Sequence, residues 1–378
     1  MSIIVFVAIT VIVVLTQGYI FKRFALHKLG YERRFNKKVC FRGDEIELVE
    51  QLMNSKWLPV PWLRVESQIS VHLRFGKQEN FSVSSGQVYQ NHRSFFSLGR
   101  YMKLTRTHRI TPTKRGWYKL STVSLTSGDL LGNLNCITQI PLDDELIVYP
   151  KPASVPFHEL PSQSWQGEHL VRRFIVPDPF VIAGARNYEW GDSMKTVNWK
   201  ATARAGTLQV HRYDFTADRS IMICLNVDDR EGMWRVVSDE SVIELGIEWA
   251  AGAAEAAINQ GMDVSFSTNM PMSGMTEATH VEAGRGQEHL FMLYEVMAKL
   301  NIVRTGLFLE LLKIEVLKRY SNRDIVVITS FWNDELEHTA HSLYMNGNSV
   351  SIWRLPESHC AEQPTTSIYK SSEGRNVS

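Results

Sequence analysis

Arg186-Asn-Tyr-Glu-Trp-Gly-Asp192, Val197-Asn-Trp-Lys-Ala-Thr-Ala-Arg204 and Leu208-Gln-Val-His-Arg-Tyr213 follow one another and run into the apolar stretch Ile221-Met-Ile-Cys-Leu-Asn-Val227. Gly191-Asp192 is a turn signal, because glycine tolerates positive φ and aspartate bonds its own backbone. Thr196, Trp199 and Ala203 recur at helical spacing, so Asp192 or Ser193 is expected to cap a short helix. Arg186 and Arg204 bracket Asp192, and a guanidinium can hold a carboxylate through two parallel hydrogen bonds. Two readings are open. The favoured one is a partly buried Arg186–Asp192–Arg204 lock that seats a crossover segment on the following domain; the other is a recognition surface for a partner protein.

From Ile221 onward the pattern is that of an open α/β sheet. Ile221–Val227 reads as a buried parallel strand, since it is apolar without alternation. Helices are expected over Glu240–Gln260, Glu288–Leu300 and Asp334–Met345, and strands over Met262–Thr268, Asp324–Thr329 and Ser349–Trp353. Before residue 150 the rhythm is different. Glu45–Glu50, Leu63–Ile69 and Tyr101–Arg106 alternate with period two between Pro and Gly punctuation, which predicts an antiparallel β-sandwich. Trp57-Leu-Pro-Val-Pro-Trp62 reads as a proline-stiffened turn, and residues 151–180, with five prolines, as a crossover.

The amino-terminal stretch Ser2–Ile20 is almost wholly apolar and long enough to span a bilayer, which takes about 20 residues. It lacks both a basic leader and a small-residue cleavage pattern, so an uncleaved anchor is expected. Lys22, Arg23, Lys28, Arg33, Arg34, Lys37 and Lys38 follow, against the single acid Glu32, and such a flank predicts a cytoplasmic body. The expected organisation is a transmembrane anchor over 1–21, a basic juxtamembrane segment over 22–38, a sandwich over 39–150, a crossover with the signature over 151–218, an α/β domain over 219–356 and a flexible tail over 357–378.

The net charge of +1 over 378 residues gives no field for nucleic acid, and none is expected as a partner. Cys40, Cys136, Cys224 and Cys360 show no CxxC spacing and read as isolated thiols. No P-loop, G-x-S-x-G elbow or H-E-x-x-H pair is present, and Gly284-Arg-Gly286 lacks the third glycine of a dinucleotide loop. We therefore expect no catalytic residues and no cofactor. His211 reads as a surface or packed histidine.

The signature resembles that of the bacterial domain-of-unknown-function family fifty-eight: Arg-x-Tyr-x-x-Gly-Asp, Ile/Val-x-Trp-Lys-x-x-Ala-Arg, Leu-x-Val. Arg186, Tyr188, Gly191, Asp192, Val197, Trp199, Lys200, Ala203, Arg204, Leu208 and Val210 occupy those positions. Arg115-Gly-Trp-Tyr-Lys-Leu120, Ser127-Gly-Asp-Leu-Leu-Gly132 and Ile147-Val-Tyr-Pro150 look like its upstream blocks. The resemblance implies a membrane-anchored protein with a von Willebrand factor A-like α/β domain. It also implies association with MoxR-type AAA ATPases and, by context, with a transglutaminase-like membrane protein.

Domains of that kind often hold a divalent ion on Asp-x-Ser-x-Ser after the first strand, with ligands from later loops. Here the loop reads Asn226-Val-Asp-Asp-Arg-Glu-Gly232. With Asn226 first, the series runs to Asp228 and Arg230, and a guanidinium cannot ligate a cation. The motif is thus degenerate and no metal is expected. Two readings of Asp228, Asp229 and Asp334 stay open, a loose acidic patch or separate solvated loop carboxylates at a sheet edge. The function expected is a non-enzymatic membrane adaptor or scaffold in complex assembly or envelope maintenance. The alternatives are a structural envelope component or a hydrolase using the Asp228/Asp229 loop.

Overall fold

The structure is a computed structural model that describes residues 2–76, 81–85, 88–129, 135–154, 182–189, 193–213, 220–356 and 365–368. The chain divides into two compact units, one of Met1–Lys151 with Tyr294–Leu300 and one of Pro152–Leu293 with Asn301–Ser378.

In the first unit, helix α1 (Ser2–Phe24) comes first, and its Ile3–Phe24 stretch is long and apolar enough to cross a membrane, with mean hydropathy 2.5. Ten strands follow: β1 (Leu29–Phe35), β2 (Val39–Phe41), β3 (Ile46–Asn54), β4 (Val60–Ser70), β5 (Leu73–Phe75), β6 (Phe81–Ser85), β7 (Tyr89–Leu98), β8 (Lys103–Pro112), β9 (Gly116–Gly128) and β10 (Asn135–Tyr149). They form two sheets, ordered β1-β3-β8-β5 and β2-β10-β9-β4-β7-β6. Every pairing is antiparallel except β10 with β2. Part of the basic segment 22–38 is therefore strand: β1 pairs along β3, and its Tyr31, Arg33 and Phe35 point inward. The Trp57–Trp62 stretch is likewise not all turn. Val60-Pro-Trp62 opens β4, and Pro61 falls at the irregularity between Val60 and Leu63, where a missing N–H is tolerated.

Two apolar clusters fill the sandwich. Phe35, Ile46, Leu48, Leu73, Ile110 and Val148 form one; Leu52, Leu63, Val65, Leu98 and Leu125 form the other. Further buried positions carry a polar network. Glu50, on the inward face of β3, accepts a hydrogen bond from the Tyr31 hydroxyl at 2.7 Å and lies 3.3 Å from His108 Nε2. Arg33 donates to Ser67 Oγ at 2.6 Å, which joins the two sheets. The rings of His92 and Phe75 lie 4.2 Å apart. Burial pulls the Glu50 carboxyl upward, but His108, the Arg33 charge and Tyr31 together hold it below the usual range. Burial, then the charges of Arg33 and His108, push His92 down to about 3, so its ring is neutral at physiological pH. The Cys40 thiol is pushed up to about 11 by burial and is no nucleophile.

The second unit carries the hairpin β11 (Ile182–Asn187) and β12 (Gln209–Tyr213), with α2 (Trp199–Ala205) between them. Then come β13 (Ser220–Leu225), α3 (Glu240–Asn259), β14 (Asp263–Thr268), β15 (Thr279–Gly284), α4 (Gln287–Lys299, whose residues from Tyr294 on are grouped with the first unit), α5 (Phe308–Leu317), β16 (Asp324–Thr329), α6 (Asp334–Met345), β17 (Ser349–Arg354) and β18 (Thr365–Ile368). The sheet order is β15-β14-β13-β16-β17-β18; the four central strands are parallel and both edge strands are antiparallel. β13 is buried on both faces, as its continuous apolar run requires. Met222 and Cys224 pack with Phe308 and Leu312 of α5 and with Leu336, Ala340 and Leu343 of α6. Burial also raises the Cys224 thiol far above its ordinary value.

The sequence reading assigned no element to α5, β15 or β18. β18 pairs with β17 inside the stretch expected to be a flexible tail, so that part of the expectation is corrected. The rest of 357–378 and most of the 151–180 crossover lie outside the described residues.

Gly252 of α3 is dictated by contact. A Cβ there would stand 2.0 Å from the carbonyl oxygen of Ala153, whose N–H donates to Glu248 O at 3.0 Å. Helix propensity alone makes Gly252→Ala stabilising by about 1 kcal/mol. The clash predicts the opposite sign, a loss of ~1–3 kcal/mol from overpacking, readable as faster amide exchange in α3.

Candidate functional site

The signature forms a small hairpin–helix module. β11 and β12 pair in antiparallel register, with Arg186 opposite Val210 and Asn187 opposite Gln209. Ser193 caps a short 3-10 turn, Met194–Thr196, by accepting from Lys195 N, as one of the two expected caps. A second cap, absent from the sequence reading, is Asn198, which accepts from Ala201 N at 3.0 Å and starts α2. Thr202 Oγ1 accepts from Gln209 N at 3.0 Å and ties the helix to β12. The helix ends at Gly206, whose φ of 68° suits glycine.

Only some signature residues serve this packing. Val197 and Val210 are buried and bridge to one another. Arg186, Lys200 and Arg204 are exposed, and Trp199 is 66% exposed. Arg186 donates to Asn187 O at 3.1 Å, a local surface bond. Tyr188 is half-buried, and its N–H donates to Leu208 O. The expectation that Arg186 and Arg204 are partly buried is thus corrected, since both face solvent. Gly191 and Asp192 lie outside the described residues.

A second cluster sits at the carboxyl ends of the central strands. Counted along the unit, the sheet order reverses between β13 and β16, the switch point where open α/β sheets place ligands. Asn226, the first residue beyond β13, donates from Nδ2 to Thr329 Oγ1 at 3.0 Å and accepts from Asp228 N at 2.8 Å. Asn269, the first beyond β14, accepts from Val227 N at 3.0 Å and donates to Asp228 Oδ1 at 3.0 Å. Asp228 Oδ2 accepts from Phe308 N at 3.2 Å, and Arg304 stands 3.8 Å from Oδ1. Asp228 thus supplies the amino-terminal cap of α5 from a distant strand. Burial raises its pKa above the ordinary carboxylate range, against the lowering by Phe308 N–H, Arg304 and Asn269.

The three acids do not make one solvated patch, which corrects that expectation. Asp228 is buried, Asp229 is held by Arg230 at 2.9 Å and by Ser238 N, and Asp334 lies exposed in the first turn of α6. Their surroundings differ in kind: the inward Asp228 carboxylate meets the Arg304 guanidinium, the Asn269 amide and the Phe308 N–H, whereas Asp229 is bound at the surface. Among the described residues no group of three or more His, Cys, Asp or Glu is placed to hold a metal ion. Sequence reasoning missed Asn269, Arg304 and Thr329. The available signal was alignment, since Asn226, Asn269 and Thr329 all fall at the ends of adjacent parallel strands.

The comparisons bear on these two clusters. Uncharacterized protein YeaD of Bacillus subtilis (strain 168) is 24% identical over 168 residues, 43% of this chain and 41% of that protein, so the chain spans less than half of the relative's length. Among solved structures, a non-cellulosomal cohesin from Archaeoglobus fulgidus matches at 10% identity and TM-score 0.22, covering 31% of this chain and 90% of its own. A CARDB domain from Pyrococcus furiosus matches at 19% identity and TM-score 0.20, covering 32% of this chain and 93% of its own. Scores so low carry no weight for fold or function. The family described as protein of unknown function DUF58 matches residues 184–353, which take in both the signature module and the strand-end cluster. Residues 184–353 of this chain are therefore similar to that family.

Proposed function

We propose that this chain is a membrane-anchored, non-enzymatic adaptor whose α/β unit is von Willebrand factor A-like and docks a MoxR-type AAA ATPase during complex assembly or envelope maintenance. In this reading α1 is a single-pass anchor and both units face the cytoplasm, with a transglutaminase-like membrane protein as a further neighbour. The open sheet with its reversal between β13 and β16 supports the von Willebrand factor A-like reading.

One observation carries the adaptor role. Trp199, one of the two aromatics of the family signature, is 66% exposed on a doubly tethered helix that also carries the exposed Lys200 and Arg204. A large aromatic held in solvent on a short helix that also bears arginine has the composition of a protein–protein hot spot, not of a core. The engagement of both Asp228 oxygens inside the fold favours docking over hydrolysis at that loop.

The test is capture from solubilised membranes. Wild-type full-length chain should recover an AAA ATPase, and Trp199→Ala with Arg204→Ala should lose it at least ~10-fold, as removal of a hot spot does. Thermal stability should stay unchanged. Equal recovery by wild type and variant would remove the signature from the docking face.

A further inference from the structure

We propose that the helix-proximal end of the β-sandwich, formed by the loops around Trp57 and Tyr101 and the start of β10, lies in the headgroup layer of the membrane and binds anionic lipid. The inference rests on the anchor reading above. Its geometry starts at α1, where Gly18, Phe21 and Ala25 recur at three- and four-residue steps and are buried, which marks the stripe that faces the sandwich. The Gln17 amide donates to the Asp129 carboxylate at 3.2 Å, and the Cys136 thiol to Lys22 O at 3.3 Å. α1 is 23 residues long, ~34 Å of helix at 1.5 Å per residue, against ~30 Å of hydrocarbon. Lys22 and Arg23 in its last turn belong at the membrane boundary, and the bonds from Gln17 and Lys22 bring Asp129 and Cys136 to the same place.

The neighbouring loops are joined to the same place. Ser55 N donates to Lys28 O at 3.1 Å, just past the end of α1. Tyr101 N donates to Lys56 O at 3.2 Å, and Asn54 Nδ2 to Gly99 O at 2.7 Å. What this end turns to solvent is amphipathic: Trp57 is 66% exposed, Tyr101 70% and Ile137 66%. Trp and Tyr rings, apolar with one polar edge, belong at headgroup depth. Around them Lys22, Arg23, Lys28, Arg100 and Lys103 are exposed. In residues 22–29, 53–60, 98–103 and 135–138 there is no carboxylate at all. An aromatic end whose exposed charges are positive, the Asp129 carboxylate being buried, and which is continuous with the anchor, matches an anionic lipid surface. A partner protein would be an alternative cover, but it would not account for the continuity of this end with the basic end of the anchor.

The experiment uses the full chain with Cys136→Ser and Cys360→Ser, labelled with an environment-sensitive fluorophore at Trp57→Cys, Tyr101→Cys or Glu45→Cys. Glu45 is exposed, in the turn that precedes β3 and far along that strand from Asn54. Each protein is reconstituted into phosphatidylethanolamine–phosphatidylglycerol vesicles, with or without shallow nitroxide-labelled lipid. Labels at 57 and 101 should shift to the blue and lose emission to the nitroxide, while the label at 45 does neither. Replacing phosphatidylglycerol by phosphatidylcholine, or Arg100 and Lys103 by glutamate, should reduce the quenching. Protein that floats with the vesicles while all three labels remain equally unquenched would overturn the headgroup placement and leave the anchor standing. Protein that washes off the vesicles would overturn both.

Discussion

Glu50→Ala should lower the opening free energy of the sandwich by ~3–5 kcal/mol, the cost of stripping one partner from a buried charged network. The Arg33 guanidinium, the Tyr31 hydroxyl and the His108 ring all converge on or beside that carboxylate, and each is nearly inaccessible to water. Native-state hydrogen exchange on the solubilised chain reads this directly in the amides of β1, β3 and β8. The same network sets the response to acid. A histidine whose folded pKa is about 3, against 6.5 when unfolded, contributes fully above pH 6.5 and opposes folding increasingly as pH falls toward 3. Glu50, held below its ordinary value, adds in the same sense, because its contribution is present above the unfolded carboxylate pKa and is lost as pH falls through the folded one. Protection in the sandwich should therefore decline on acidification, and His92→Phe should flatten the decline. A wild-type profile flat from pH 7 to pH 4 would show that the network does not govern this unit.

Asp228→Ala should cost ~2–3 kcal/mol and concentrate its effect on α5. The substitution leaves Phe308 N–H, Asn269 Nδ2 and the Arg304 guanidinium without their common acceptor. Leu307 offers no side-chain cap in its place. Asp228→Asn keeps one acceptor and should lose roughly half as much. The pH dependence here is opposite to that of the sandwich. A carboxyl whose folded pKa is raised favours the fold more as it takes up its proton, so acidification through the carboxylate range strengthens this corner. Exchange in α5 that is unchanged by Asp228→Ala would mean that the helix starts on its own.

What the sequence made legible follows from range. Ile221–Val227, Asp324–Thr329 and Asp334–Met345 are specified by periodicity within their own residues, and each appears within a residue or two of its expected bounds. α5 was invisible because its cap, Asp228, lies 80 residues away in the loop after β13. The sandwich network was half visible. Glu50 alternates with Leu48 and Leu52, and Arg33 with Tyr31 and Phe35, so period two alone puts both charges inward. Reading Arg33 as part of a basic flank hid it, since charge counting takes no account of which face a strand turns to the core. The signature misled in the other direction. Dense charge and aromatics suggested a buried lock, yet Thr202, Asn198 and backbone hydrogen bonds hold the module while Arg186, Trp199 and Arg204 face water.

The adaptor reading is tested most directly by photocrosslinking in living cells, with a benzophenone amino acid in place of Trp199. The account predicts a discrete crosslink from membrane-embedded protein to an AAA ATPase of the MoxR type, absent when the probe replaces buried Val210. A probe at 199 that captures only lipid or solvent, in cells that express the ATPase, would contradict it.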